Sequence, residues 1–157
     1  METVYIIEVE QGNIEYDLYY SPEGVLVKAV PGEGAAGYQP ADVLPVIKEF
    51  IAKKYPQARI FDIEYENGRI EVDIVDGSIP REVVFTRAGE WSYTKTEVRK
   101  SSVPATVLEA LAATEYGSWR IDDIDHYLTP TVEYYIFELE SGSREVNLKI
   151  DTAGNIL

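Results

Sequence analysis

Asp122, Asp123, Asp125 and His126 form the densest run of potential metal ligands in this chain. Carboxylate oxygens suit a hard cation such as calcium. Strand alternation, however, puts Asp123 and Asp125 on one face and Asp122 and His126 on the other. The spacing is also not that of an EF-hand loop. The three aspartates therefore read as a solvated strand edge, with a calcium site as the rival, and no metal is expected. His126 is the single histidine, and the sequence points to no nucleophile that would complete a triad with it. The 28 acidic residues supply carboxylate pairs by number alone. Acid–base catalysis needs one carboxyl with a pKa raised by burial, which an exposed strand face does not provide. The absence of cysteine removes disulfides, thiolate nucleophiles and sulfur metal sites. No enzymatic activity and no cofactor are expected.

Gly32-Glu-Gly34-Ala-Ala-Gly37 spells the dinucleotide-binding fingerprint and follows a strand pattern. That motif needs a helix opening on its glycines within a βαβ unit. Here Tyr38-Gln-Pro40 intervenes and antiparallel patterns lie on both sides, so the segment reads as a loop. The net charge of −14 argues against nucleic acid, whose phosphates would be repelled. It leaves basic peptides, basic protein surfaces and hard cations. No apolar run is long enough to span a membrane. Twelve tyrosines and two tryptophans offer contact area of the kind that anchors interfaces.

The elements that hold these residues follow a repeat. Gly12 and Gly24 recur as Gly77 and Gly89, then as Gly142 and Gly154, in steps of 65 residues. The second copy is complete. A helix over 42–54 takes Asp42 as N-cap, Pro45 in its first turn and Val46, Ile47, Phe50 and Ile51 as its apolar stripe. Strands are expected at 59–65, 69–75, 79–86 and 90–98, with Asn67-Gly68 and Asp76-Gly77 as turns. The third copy repeats the plan, with Ser102 as cap, Pro104 in the first turn, and Val107, Leu108 and Leu111 as the stripe. The first copy has strands only. The expected architecture is α+β: tandem repeats of one helix plus a four-stranded antiparallel meander, with a partial first repeat. The expected bounds are a partial repeat at 1–30, a linker at 31–41, and complete repeats at 42–98 and 99–157, forming one compact unit. The missing half of the first copy suggests that a signal peptide and half-unit lie upstream, or that three strands cap a two-unit protein.

Alternation assigns faces. Tyr5, Ile7 and Val9 align with Ile70, Val72 and Ile74 and with Tyr135, Phe137 and Leu139 as core. So do Leu18 and Tyr20 with Val83 and Phe85 and with Leu148 and Ile150. Tyr16 also falls on a core face, and Trp91 reads as core. The opposite face carries Glu8, Glu15, Asp17, Glu71, Asp73, Glu82, Glu138 and Glu145, mixed with Ile6, Tyr19, Val84, Tyr134 and Ile136. An antiparallel sheet tolerates such a solvated face. Tyr19, Tyr134, Ile136, Glu71, Asp73 and Glu138 are the candidate binding residues.

Leu44-Pro45 through Ile60, Val103-Pro104 through Ile121, and the hairpin ends Phe85 to Trp91 and Ile150 to Asn155 resemble the PepSY-like, β-lactamase-inhibitor-like family of bacterial envelope proteins. The resemblance implies a secreted or periplasmic, non-enzymatic protein with helices on one side of a curved sheet. It also implies that the sheet face grips a partner, as the namesake inhibitors do, in a peptidase or hydrolase inhibitor-like role. The expected function is a binding module whose open acidic and aromatic face engages a protein or peptide, with a basic one favoured by charge. The rivals are a spacer segment of a larger envelope repeat protein and a calcium-stabilised module.

Overall fold

A computed structural model describes residues 5–11, 14–20, 22, 24, 26–31 and 40–157. The expected loop at 32–37, most of the expected linker, and Gly12 lie outside the described residues. Three strands come first: β1 (Tyr5–Gln11), β2 (Ile14–Tyr20) and β3 (Leu26–Pro31). They form a separate antiparallel sheet in the order β1-β2-β3. Helix α1 (Pro40–Lys54) follows, then β4 (Ala58–Glu66), β5 (Arg69–Asp76), β6 (Ile79–Thr86) and β7 (Trp91–Glu97). A 3₁₀ turn (Lys100–Ser102) leads into α2 (Ala105–Ala112), then β8 (Arg120–Leu128), β9 (Glu133–Ser141) and β10 (Arg144–Asp151). Strands β4 to β10 make one seven-stranded antiparallel sheet in the order β10-β9-β8-β7-β6-β5-β4. Pairing of β7 with β8, from Thr94–Leu128 to Glu97–Asp125, carries the sheet past α2.

The strand registers keep the glycine interval. Tyr5–Tyr20, Ile70–Phe85 and Tyr135–Ile150 are paired, each 65 residues beyond the last. Tyr20–Leu26, Phe85–Trp91 and Ile150–Ile156 follow the same step. The last turns match as well. Gly89 N–H donates to the Thr86 carbonyl at 2.9 Å, and Gly154 N–H to that of Asp151 at 3.0 Å. The first hairpins of the sheet correspond at 61 residues: a bulge between Ile60 and Asp62 answers one between Ile121 and Asp123.

Both helices cover the same sheet face. Ile47 and Ile51 of α1 pack with Ile70, Val72, Ile74, Val83 and Phe85. Val107 and Leu111 of α2 pack with Ile124, Tyr135, Phe137, Leu139, Leu148 and Ile150. Burying such side chains contributes roughly 1.5–3 kcal/mol each. Two polar residues, Thr94 and Thr96, continue this face on β7 and are also buried. Tyr55 Oη donates to Thr94 Oγ1 at 2.8 Å and Trp91 Nε1 does so at 3.1 Å. Arg81 Nη1 reaches Thr96 Oγ1 at 2.9 Å. A buried hydroxyl is tolerated because it is hydrogen-bonded. Trp91 lies under α1, tilted against Phe50 at 5.4 Å, so its expected core position holds.

Several expectations change. Helix α1 begins at Pro40, so Asp42 lies within it and is not its N-cap. Val46 is 52% exposed and leaves the stripe, with Leu44 buried instead, because Leu44, Ile47 and Ile51 share the helix side that meets the sheet. Ser102 sits in the 3₁₀ turn and Pro104 is the N-cap of α2. Tyr5 and Ile7, expected in the core, are 58% and 49% exposed. The two helices cover the seven-stranded sheet, and Tyr5 and Ile7 join neither buried cluster.

Candidate functional site

Opposite the helices, alternation presents a second set of side chains. Register places Asp62, Asp73, Glu82, Lys95, Tyr127 and Tyr134 in one row across six strands. The row has two characters. Toward β9 it is aromatic. Tyr127 and Tyr134 stack at 5.1 Å with rings 9° from parallel. Tyr93 approaches Tyr127 at 5.5 Å, and Lys149 Nζ sits 3.8 Å above the Tyr134 ring. Burial raises the Tyr127 and Tyr134 hydroxyl pKa values, so both rings stay neutral.

Toward β5 the row is acidic. Carboxylate oxygens of Glu71, Asp73 and Glu82 lie within 4.8 Å of one another. Partial burial, then the Glu82 carboxylate, push the Glu71 pKa up to about 7. The Asp73 pKa is raised by burial and then by Glu82, Glu64 and Asp62. Lys95 Nζ stands 3.4 Å from both Glu82 and Asp125. Burial opposes its charge, but those two carboxylates outweigh burial and raise its pKa. Burial raises the Asp125 pKa despite Lys95. A groove of about 490 Å³ runs along this side, with Asp73, Glu82, Lys95 and Asp125 in its wall. A smaller recess of about 180 Å³ adjoins it at Asp123, Asp125, Tyr127 and Ile136.

Of the expected binding residues, Glu71, Asp73, Tyr134, Ile136 and Glu138 share this face. The structure does not gather them into one pocket. Glu71 and Asp73 are four strands from Tyr134, about 19 Å at the usual strand spacing. Lys95, Asp125 and Tyr127 fill the interval. Tyr19 lies in the separate first sheet, and its side chain falls outside what is described, as do those of Glu8, Glu15, Tyr16 and Asp17. Val84 is on the open face as expected but is buried, at 2% exposure, between Glu71 and Tyr93 in register.

Asp122, Asp123 and Asp125 do not come together as ligands. Asp122 is the extra residue of the bulge and pairs with Arg120 at 3.0 Å, while Arg120 also binds Glu140. Among the described residues, the carboxylate trio with metal-binding proximity is Glu71, Asp73 and Glu82. His126 lies on the helix side, with Nε2 2.8 Å from Glu133 Oε1. Lys95, Tyr93 and Tyr127 were missed as site residues, and Asp125 was singled out only as a calcium ligand. Alternation through β7 would have found the first two, but its helix-side positions are threonines and mask the pattern.

The sequence matches the family model described as "Putative beta-lactamase-inhibitor-like, PepSY-like" over residues 34–78 and 68–157. The chain belongs to this family. Strands β1 to β3 precede the matched region. No curated protein matches the sequence. Among solved structures, the chain is similar to a BLIP-like protein from Bacteroides fragilis NCTC 9343, with 25% identity and a TM-score of 0.66, over 72% of this chain and 82% of that one. It shares its fold with a DUF2874 family protein from Bacteroides ovatus ATCC 8483, at 19% identity and TM-score 0.65, over 71% and 82%. A protein from Bacteroides eggerthii DSM 20697 named "putative periplasmic" gives 20% and 0.64, over 71% and 84%. The α+β fold with two helices on a seven-stranded antiparallel sheet is thus the fold of this family. Among the described residues, no helix is long and apolar enough to cross a membrane.

Proposed function

We propose that this chain is a non-enzymatic binding module whose helix-free sheet face engages a protein or peptide. The observation that carries this reading is the continuous aromatic row of Tyr93, Tyr127 and Tyr134 beside the acidic groove. Stacked tyrosines offer large contact area with little side-chain entropy left to lose. Adjacent charge speeds encounter with a partner of opposite sign, so a basic partner fits and nucleic acid does not. The family resemblance supports an inhibitor-like role toward a hydrolase or peptidase, in the periplasm or outside the cell. The recurring registers support an organisation in tandem units, with 1–30 as a partial unit, 31–41 as linker, 42–98 as a complete unit, and 99–157 as a second on the same sheet, whose expected fourth strand is reduced to the Ile150–Ile156 bridge.

Selection of displayed peptides against the immobilised full chain tests this reading. Selected peptides should bind Tyr127→Ala and Tyr134→Ala at least about tenfold more weakly and an exposed α1 variant, Val46→Ser, unchanged. Peptides indifferent to both tyrosines and sensitive to Val46 would place binding on the helix side and overturn it.

The Glu71, Asp73 and Glu82 trio favours a second reading, a calcium-stabilised module. A melting temperature that rises with millimolar calcium and falls with chelator supports it; an unmoved one removes it.

A further inference from the structure

The 490 Å³ groove has two kinds of wall. Phe61, Val75 and Pro80 line one part, and Phe61 is 83% exposed because it is the extra residue of the β4 bulge. Asp73, Glu82 and Asp125 line another, joined by Glu97 and Asp123. Against these five carboxylates, the described residues of the groove set one ammonium on its open side, Lys95. Arg81 also borders it, but its guanidinium is committed to the helix side. It binds Asp76 at 3.1 Å and Thr96 at 2.9 Å and lies over the Tyr55 ring. The groove thus keeps a surplus of negative charge next to an apolar wall.

Resting on the binding-module reading, we infer that this groove receives an arginine side chain of a basic partner peptide, its stem on Phe61, Val75 and Pro80 and its guanidinium among Asp73, Glu82 and Asp125. Three features point to that occupant. The molecule's own cation, Lys95, already stands between Glu82 and Asp125, so the carboxylates accept a positive group there. A planar guanidinium is more weakly hydrated than an ammonium and can bridge several carboxylates at once, which a single Lys95 Nζ does not do for Asp73. The neighbouring recess and tyrosine row give the flanking peptide a surface along the sheet. Lys95 is then an internal competitor: it limits repulsion among the carboxylates in the free protein and yields part of its contact when arginine arrives.

Titration of the isotope-labelled full chain with N-acetyl-arginine N-methylamide, followed by amide NMR, tests this. Shifts should concentrate at Glu82, Lys95 and Asp125. The uncharged citrulline counterpart should bind at least about tenfold more weakly, and raised salt should weaken the arginine probe alone. Asp125→Asn should weaken the arginine probe about threefold or more, whereas Lys95→Met should tighten it, since it removes the competing cation. Equal binding of the two probes, shifts centred elsewhere, or weaker binding to Lys95→Met would overturn the assignment. The salt and citrulline arms use the wild-type chain and need no variant to fold. Failure here is separable from failure of the binding-module reading: selected peptides that lack arginine yet depend on Tyr127 and Tyr134 would sink this inference and leave that one standing.

Discussion

Tyr55 shows how single residues hold the sheet face opposite the site. Its hydroxyl donates to Thr94 Oγ1, which also accepts from Trp91. Tyr55→Phe should cost about 1 kcal/mol in denaturant unfolding, the net worth of one buried hydrogen bond. Glu71 is a different case, because its fold works against its charge. Its folded pKa of about 7 lies above the 4.5 of an ordinary glutamate. The stability linked to its proton is therefore complete below about pH 4.5 and is lost as pH rises through 7. Glu71→Gln keeps a neutral side chain at every pH. It should match the wild type near pH 4 and exceed it by about 1 kcal/mol at pH 8, after allowance for solvent screening. Unfolding midpoints at the two pH values check this; an equal difference at both would show that the carboxyl is not the cause. At this scale the sequence revealed Glu71, Asp73, Tyr134, Ile136 and Glu138 as residues of one face. It hid Lys95 and Tyr93 because their strand, Trp91–Glu97, turns Thr94 and Thr96 rather than aliphatic residues into the core.

Elements were most legible where turn chemistry and alternation agree. Asn67-Gly68 closes the β4–β5 hairpin as expected, and both residues have positive φ, whereas the β5–β6 turn is Gly77-Ser78, one residue beyond the expected Asp76-Gly77, because Asp76 is still paired with Ile79. Gly77 and Gly142 occupy equivalent turns with the same φ of +63°. Alanine at either position should destabilise by about 1 kcal/mol, and by similar amounts, because the left-handed conformation penalises a Cβ. Markedly unequal losses in thermal unfolding would show that the two turns are not energetically equivalent. Bulges were not legible. An inserted residue breaks the period of two, which is why Asp122 was assigned by simple alternation and Phe61 was not recognised as projecting. Helix starts were also misplaced, since α1 already begins at Pro40, ahead of Asp42, and Pro104 rather than Ser102 is the N-cap of α2.

For the whole molecule, the decisive joint is the β7–β8 pairing, which joins the strands beneath α1 and those beneath α2 into one sheet and one open face. The 65-residue interval that recurs in the strand registers was visible in the sequence as a spacing of glycines. It did not show that β7 and β8 meet, because contacts across the α2 crossover leave no periodic trace. The groove and the tyrosine row depend on this joint, since Lys95 and Tyr93 come from β7 while Asp125 and Tyr127 come from β8. Phe137, fully buried beneath α2, is a sensitive reporter of the core on that side of the joint: Phe137→Ala should cost about 3–5 kcal/mol in unfolding free energy. Tyr5, Ile6 and Ile7 on the edge strand β1 remain exposed, the feature that best favours a spacer role. Such a role predicts association through β1, which light scattering of wild type and Ile6→Lys would compare.

The open-face assignment is tested most directly by amide hydrogen exchange on the full chain with and without a selected peptide. The prediction is added protection in β7, β8 and β9, around Tyr93, Tyr127 and Tyr134, with α1 and α2 unchanged. Protection centred on the helices, with those three strands unaffected, would contradict it.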